Sequence, residues 1–322
     1  MKIKQNFTRV LLICLACCFS SVLSAQDTTA LQTSVDGLVA TALADQSLDL
    51  SDPVAVQASI DSVMTGLVPT LTAAETQIIA AAVMGAFTVQ IQAIPSISAD
   101  AASSAITSVA SAIVSAAVEA SGGDTAMIAA AASGVVQGAI QATSDDSAVS
   151  ITGVITAAAN GATSGAIEAT AGDDDTSATE AITAAANGAT TAAVEATSGD
   201  DTTAAIKAAT SGATTGAIGA TLSSGNTSAL DAIAAVSSGA TTGATDATTA
   251  EGGDVGAAAE AVSTGATEAA IEAGVEESAV EGAVERGTTE TTNSEPEATE
   301  DDTPVVTPED DDTVITSPNT PE

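Results

Sequence analysis

The stretch that decides the fold is 182-ITAAANGATTAAV-194, which has Gly188 at its centre. Ile182 precedes this glycine by six residues, and Val194 follows it by six. Alanine or glycine recurs at every fourth position around the centre. Alanine is the strongest helix former, and residues four apart share one face of an α-helix. The stretch therefore predicts a helix that can approach a neighbour closely along a stripe of small side chains.

The region 76–286 repeats this pattern with a spacing of 22 to 27 residues. Each copy has a small residue at its centre, and nearly every copy has an isoleucine six positions earlier. The central residues are Gly85, Ala112, Gly134, Gly161, Gly188, Gly212, Gly239 and Gly265. Periods of this length are typical of stacked repeats. We therefore predict an all-α fold, an Ala-rich helical repeat stack of about eight units, either solenoid-like or a bundle, stabilised mostly by nearest-neighbour contacts.

Each unit has two interpretations, one continuous helix or two short helices. Asp-rich turns such as 173–175 lie where helix N-caps belong, which favours one helix. Asn187-Gly188 is also a turn sequence and would allow a break. A second glycine four residues after the first, as in Gly161 and Gly165, favours the continuous helix because both then lie on one face. The candidate helix-packing residues are Gly85, Gly134, Gly138, Gly161, Gly165, Gly188, Gly212, Gly216, Gly239, Gly243 and Gly265.

The ends of the chain differ from the repeats. Residues 1–25 combine three basic residues with a short apolar run and a small-residue cleavage site, which predicts a secretory signal peptide. Lipidation of Cys18 and an uncleaved anchor are the alternatives. Residues 26–75 carry larger apolar side chains and predict an N-terminal helical cap. Residues 287–322 are rich in acidic residues, Pro and Thr, and predict a disordered acidic tail.

Composition argues against an enzyme. The chain has no His, Trp or Tyr, and all three cysteines lie within the first 20 residues. A nucleophile activated by His or a second Cys is therefore not available after the signal peptide. Acid–base catalysis by carboxylates needs a pair with separated pKa values in one cavity, and no spacing indicates such a pair. We predict no catalytic activity and no cofactor.

Charge limits the partners. After the signal peptide, only Lys207 and Arg286 face 42 acidic residues. Such a balance disfavours nucleic acids and anionic membranes. No segment after the signal peptide reads as a transmembrane helix, because polar residues interrupt every apolar run. The Asp-rich loops at 173–175 and 200–201 suit weak Ca²⁺ binding, although their spacing matches no known calcium loop.

Threonines recur at seven-residue spacing, which is nearly two helical turns. We predict rows on the helix surface, formed by Thr156, Thr163, Thr170, Thr183, Thr190 and Thr197.

The leading functional prediction is a non-enzymatic structural or surface/matrix protein, secreted or at the periplasm or cell surface, with itself or a cell-surface polymer as partner. The alternative is binding of a regular surface, ice or polysaccharide, through the Thr rows.

Overall fold

The computed structural model describes residues 72–94, 96–143, 149–171, 178–197, 201–224 and 227–293. These residues form nine α-helices and no strand, which confirms the all-α repeat stack. The helices are α1 (Ala73–Gln92), α2 (Ala99–Ser121), α3 (Thr125–Gln141), α4 (Ile151–Thr170), α5 (Ala178–Glu195), α6 (Asp201–Ser224), α7 (Ala229–Glu251), α8 (Val255–Glu272) and α9 (Glu277–Asn293). The predicted signal peptide, residues 26–71 of the predicted cap and residues 294–322 of the predicted tail lie outside the described residues.

Each repeat unit is one continuous helix. Helix α5 runs without a break through Asn187 and Gly188, so the interpretation as two short helices was wrong. The eight central residues lie one in each of the helices α1 to α8. Helix α9 adds a ninth unit, and it extends through residue 293 into the segment predicted as tail.

The helix ends are capped as the sequence predicts. Asp124 and Asp254 are N-caps, and the Asp124 carboxylate accepts a hydrogen bond from the Ala126 N–H at 2.8 Å. Gly122 and Gly252 end their helices with φ of 66° and 72°, a left-handed conformation that glycine adopts without strain. The short connections are therefore built from residues that stop one helix and start the next.

The helices form two layers. Helices two apart along the chain make far more extensive contacts than consecutive helices do. The odd layer contains α1, α3, α5, α7 and α9, and the even layer contains α2, α4, α6 and α8. The three residues between α2 and α3 reach about 11 Å at most, whereas α2 is about 34 Å long, so consecutive helices run antiparallel. Helices within a layer are consequently parallel, and the closest neighbour in space is not the next helix in the chain.

Every helix presents four ridges of residues spaced four apart, because i±4 rows dominate this packing. The glycine ridge faces the preceding helix of the same layer, the isoleucine ridge faces the following helix, the inner ridge faces the other layer, and the outer stripe faces solvent. In α4 these are Ala157-Gly161-Gly165-Ala169, Ile155-Ala159-Thr163-Ile167, Val154-Ala158-Ala162-Ala166-Thr170 and Thr152-Thr156-Asn160-Ser164-Glu168. The first three ridges are almost fully buried, whereas the outer stripe is exposed or half-buried.

The first copy is registered three residues earlier than the sequence alignment places it. The close contacts of α3 fall on Gln77 and Ala81, positions that in later helices lie five and one residues before the centre. Ala82 is therefore the central residue of α1, as Ala112 is in α2. Gly85 then lies on the outer stripe, and a Cβ there would be 3.5 Å from the Gly138 carbonyl oxygen, an ordinary contact distance. The alignment failed here because an alanine occupies the central position and Gly85, which has Ile79 six residues before it and Ile91 six after it, reproduces the repeat frame.

Two of the described helices, α1 and α2, are long and apolar enough to cross a membrane by length and composition alone. More than half of each such segment is buried against the rest of the fold. Core helices of folded proteins pass the same test, and the expectation of no transmembrane segment after the signal peptide stays a prediction.

Candidate functional site

The helix interfaces within a layer are built on backbone contact. A Cβ on Gly161 of α4 would overlap the carbonyl oxygen of Thr107 in α2 and lie 2.6 Å from the Ala110 Cβ. A Cβ on Gly165 would lie 2.8 Å from the Ser111 Cα. In the place of each Cβ, a glycine Cα hydrogen points at a carbonyl oxygen, which is a weak C–H···O contact. Only glycine permits this approach.

The same contact recurs along both layers. In every case a glycine meets a backbone segment on the outer side of the preceding helix of its layer. The pairs are Gly134 on Gln77, Gly138 on Ala81, Gly188 on Ala129, Gly212 on Thr156, Gly216 on Asn160, Gly239 on Thr183, Gly243 on Asn187, Gly265 on Lys207 and Gly287 on Ala234. The last glycine was missed because the sequence analysis ended the repeats at residue 286.

Hydroxyl groups reinforce these interfaces. Thr107 Oγ1 donates to the Ala157 carbonyl oxygen at 3.2 Å. Thr156 Oγ1 shares its proton between the Thr152 carbonyl oxygen of its own helix at 2.9 Å and the Ala208 carbonyl oxygen at 3.3 Å. Ser164 Oγ donates to the Gly216 carbonyl oxygen at 3.3 Å. Each donor lies on an outer stripe and reaches across to the next helix of its layer. Since a net hydrogen bond contributes about 1 kcal/mol, the row adds stability as well as register.

The two basic residues that follow residue 25 each join two helices of the same layer near the C-terminal end. Lys207 Nζ of α6 lies 2.7 Å from a Glu268 carboxylate oxygen of α8. Arg286 of α9 lies 3.2 Å from Asp231 of α7. All four side chains are about half exposed, so each pair is worth at most about 1 kcal/mol. Their contribution is to orientation more than to stability.

The prediction of surface Thr rows was wrong for three of the six residues. Thr163, Thr170 and Thr190 are buried, with exposed fractions of 0%, 4% and 0%. The other three, Thr156, Thr183 and Thr197, are half-buried. Exposure in this stack follows a spacing of four, so a step of seven moves from the outer stripe to the isoleucine ridge and then to the inner ridge. A row of threonines spaced seven residues apart therefore runs from the outer stripe into the buried helix interfaces.

Buried hydroxyls at equivalent positions differ in their hydrogen bonding. Thr190 Oγ1 donates to the Ala186 carbonyl oxygen of its own helix at 2.8 Å. Thr163 Oγ1, at the same position of α4, is buried without a hydrogen-bond partner. An unpaired buried hydroxyl destabilises a fold by about 1 kcal/mol or more.

Thr163→Val is therefore expected to raise the free energy of unfolding by about 1 kcal/mol, because it replaces the unpaired hydroxyl by a methyl group of similar shape. Urea denaturation followed by far-UV circular dichroism measures the change. Thr190→Val is the matched control and is expected to gain nothing, since it removes a hydrogen bond. If neither variant gains stability, Thr163 is paired in solution and the expectation is contradicted.

The predicted calcium loop at 173–175 and Asp200 lie outside the described residues. Among the described residues, no group of three or more His, Cys, Asp or Glu side chains is arranged to hold a metal ion. Weak Ca²⁺ binding stays a prediction for the loops.

No protein-family model matches the chain, and no curated protein is significantly similar to it. Its function must therefore be argued from the arrangement of its own residues.

What the described residues present to solvent is the outer stripes, which carry hydroxyls and amides at their centre and carboxylates such as Glu168 and Glu195 near their C-terminal ends. The sequence pattern that marks an outer stripe is the spacing of four in Thr152-Thr156-Asn160-Ser164-Glu168. The predicted Thr rows instead rested on a spacing of seven.

Proposed function

We propose that this protein is a non-enzymatic structural or surface/matrix protein that is secreted or held at the cell envelope. The observation that carries the proposal is how little of each helix surface meets solvent. In α4, three of the four ridges are buried against other helices, and only the outer stripe meets solvent. Such an array builds a rigid body with two outer faces rather than a cleft that would enclose a substrate.

The outer faces suit contact with hydrated material. Hydroxyls such as those of Thr156 and Ser164 donate their protons inside the protein, and both residues remain partly exposed to solvent. Carboxylates surround them, and the whole chain carries a formal net charge of −37. Because like charges repel, close assembly of such faces depends on salt or on divalent cations. The proposed partners are therefore other copies of this chain or a polymer at the cell surface.

Fractionation of the source cells tests this function. We expect the protein in the medium or the envelope fraction, where added protease degrades it in intact cells. The same chain without residues 1–25 is the control and is expected to stay inside the cell. Recovery of the full chain in the soluble cytoplasmic fraction, protected from protease, would contradict the proposal.

Binding of ice or a crystalline polysaccharide is the second candidate, and the regular spacing of the outer stripes favours it. Its residues are Thr156 and Asn160 on the outer face of the even layer, with Thr183 and Asn187 on the outer face of the odd layer, and not the buried threonines. An ice-recrystallisation assay and co-sedimentation with cellulose test it against the variant Thr156→Lys/Thr183→Lys. This candidate would be removed if the protein at micromolar concentration neither inhibits ice recrystallisation nor co-sediments with cellulose.

A further inference from the structure

The isoleucine ridge of the last helix in the odd layer carries charge, whereas the isoleucine ridge of every earlier helix in that layer is uncharged. The isoleucine ridge of α7 contains Ile233, Ser237 and Thr241, all of which are buried. In α9 the equivalent positions, counted from Gly287, hold Glu281, Glu285 and Thr289. All three residues of α9 are exposed. The ridge that would receive the next helix therefore presents two carboxylates.

The other sides of α9 are those of an ordinary repeat. A Cβ on Gly287 would lie 2.8 Å from the Ser237 Cβ of α7, which is the usual close approach. Val280, Ala283 and Val284 are buried against the stack. Helix α9 is thus fitted to the array on its near side and changed only on its far side. This difference separates a specific feature from the general acidity of the chain.

We propose that α9 is a charged terminator, which prevents a second copy of this chain from stacking on the C-terminal end of the array. A second copy could bury the ridge only by removing Glu281 and Glu285 from water. Burial of an unpaired carboxylate is strongly unfavourable. Among the described residues, the two ion pairs involve other acids, so neither Glu281 nor Glu285 is paired with a described basic side chain.

The side of α8 that faces away from α6 is the surface that the terminator keeps from contact with a second copy. Its isoleucine ridge holds Ala259, Ser263, Thr267 and Ile271, which carry no charge, and Ile271 is 41% exposed. The ridge continues the surface that receives a neighbour in α2, α4 and α6. Without the carboxylates of α9, the ends of both layers would form one small-residue surface suited to another copy.

That copy would meet the array end to end. The complementary glycine ridge of α1 at the N-terminal end is only partly open, because Ala82 is 4% exposed, Ile78 and Ala86 are half-buried and Gln90 is exposed. Two C-terminal ends that meet face to face are related by a two-fold axis, so their contact closes at two copies. Loss of the terminator is therefore expected to give a dimer.

The test is the mass in solution of the variant Glu281→Ile/Glu285→Ala, measured by size-exclusion chromatography with light scattering. We expect twice the mass of the parent chain at about 50 µM and at 0.15 M salt, where surface charges are screened beyond about 8 Å. The parent is expected to be a monomer under the same conditions. The matched control, Glu168→Ile/Glu195→Ala, makes the same chemical change on the outer stripes and is expected to keep the parent's mass.

Three results would overturn the proposal: a dimeric parent, a folded terminator variant with the parent's mass, or equal association of the control variant. Circular dichroism of each variant establishes that it is folded. If the isoleucine variant does not fold, Glu281→Gln/Glu285→Gln removes only the charges and is judged by the same masses.

Discussion

Gly188→Ala is expected to lower the free energy of unfolding by about 2–3 kcal/mol, although alanine is the better helix former. The added Cβ would overlap the carbonyl oxygen of Ala129 and lie 2.7 Å from its carbonyl carbon. Both atoms belong to the backbone of α3, so relief requires α5 to move away from α3. In a domain of this size the melting temperature should fall by about 5–10 °C. Gly188→Leu should be worse, because its side chain would separate the helices entirely.

Gly219→Ala is the matched control, since it adds the same methyl group to a helical glycine. Gly219 is exposed on the outer stripe of α6, and a Cβ there would meet nothing within 4 Å. This variant should gain about 0.5–1 kcal/mol from helix propensity. Thermal melts followed by far-UV circular dichroism compare the two variants. Shifts of the same sign would contradict the backbone contact proposed for Gly188.

The fold class could be predicted because its signals are local. Alanine content, the Asp caps and the frame of Ile182, Gly188 and Val194 all favour one helix per unit. The close approach at the central glycines could be predicted because a second small residue follows each of them four positions later in the same helix. These features depend on residues within one helix, which a single sequence displays directly.

The pairing of helices could not be predicted in the same way. Nothing in the stretch around Gly188 shows that its partner is α3 rather than the adjacent α4, because both offer small residues. The burial of Thr163 and Thr190 depends on that pairing. A hydroxyl on the isoleucine ridge and one on the outer stripe look alike in sequence, and only the position of the following helix in the layer separates them.

The second large effect is expected at the isoleucine ridge. Ile167→Ala in α4 should lower the free energy of unfolding by about 2–4 kcal/mol, because it removes a buried side chain and leaves a cavity. Ile167 is 0% exposed. The interior is mostly alanine, and each of its few large side chains therefore contributes a large share of the buried apolar area. Urea denaturation followed by far-UV circular dichroism measures the loss.

Ile271→Ala is the control at the same repeat position, six residues after the centre of α8. Ile271 is 41% exposed because α8 is the last helix of the even layer among the described residues. The two substitutions delete identical atoms, so the difference between them measures the contribution of α6 lying over Ile167. We expect Ile271→Ala to cost less than about 1 kcal/mol. Equal losses would mean that another part of the chain covers Ile271, and the uncharged surface beside the terminator would then not be open.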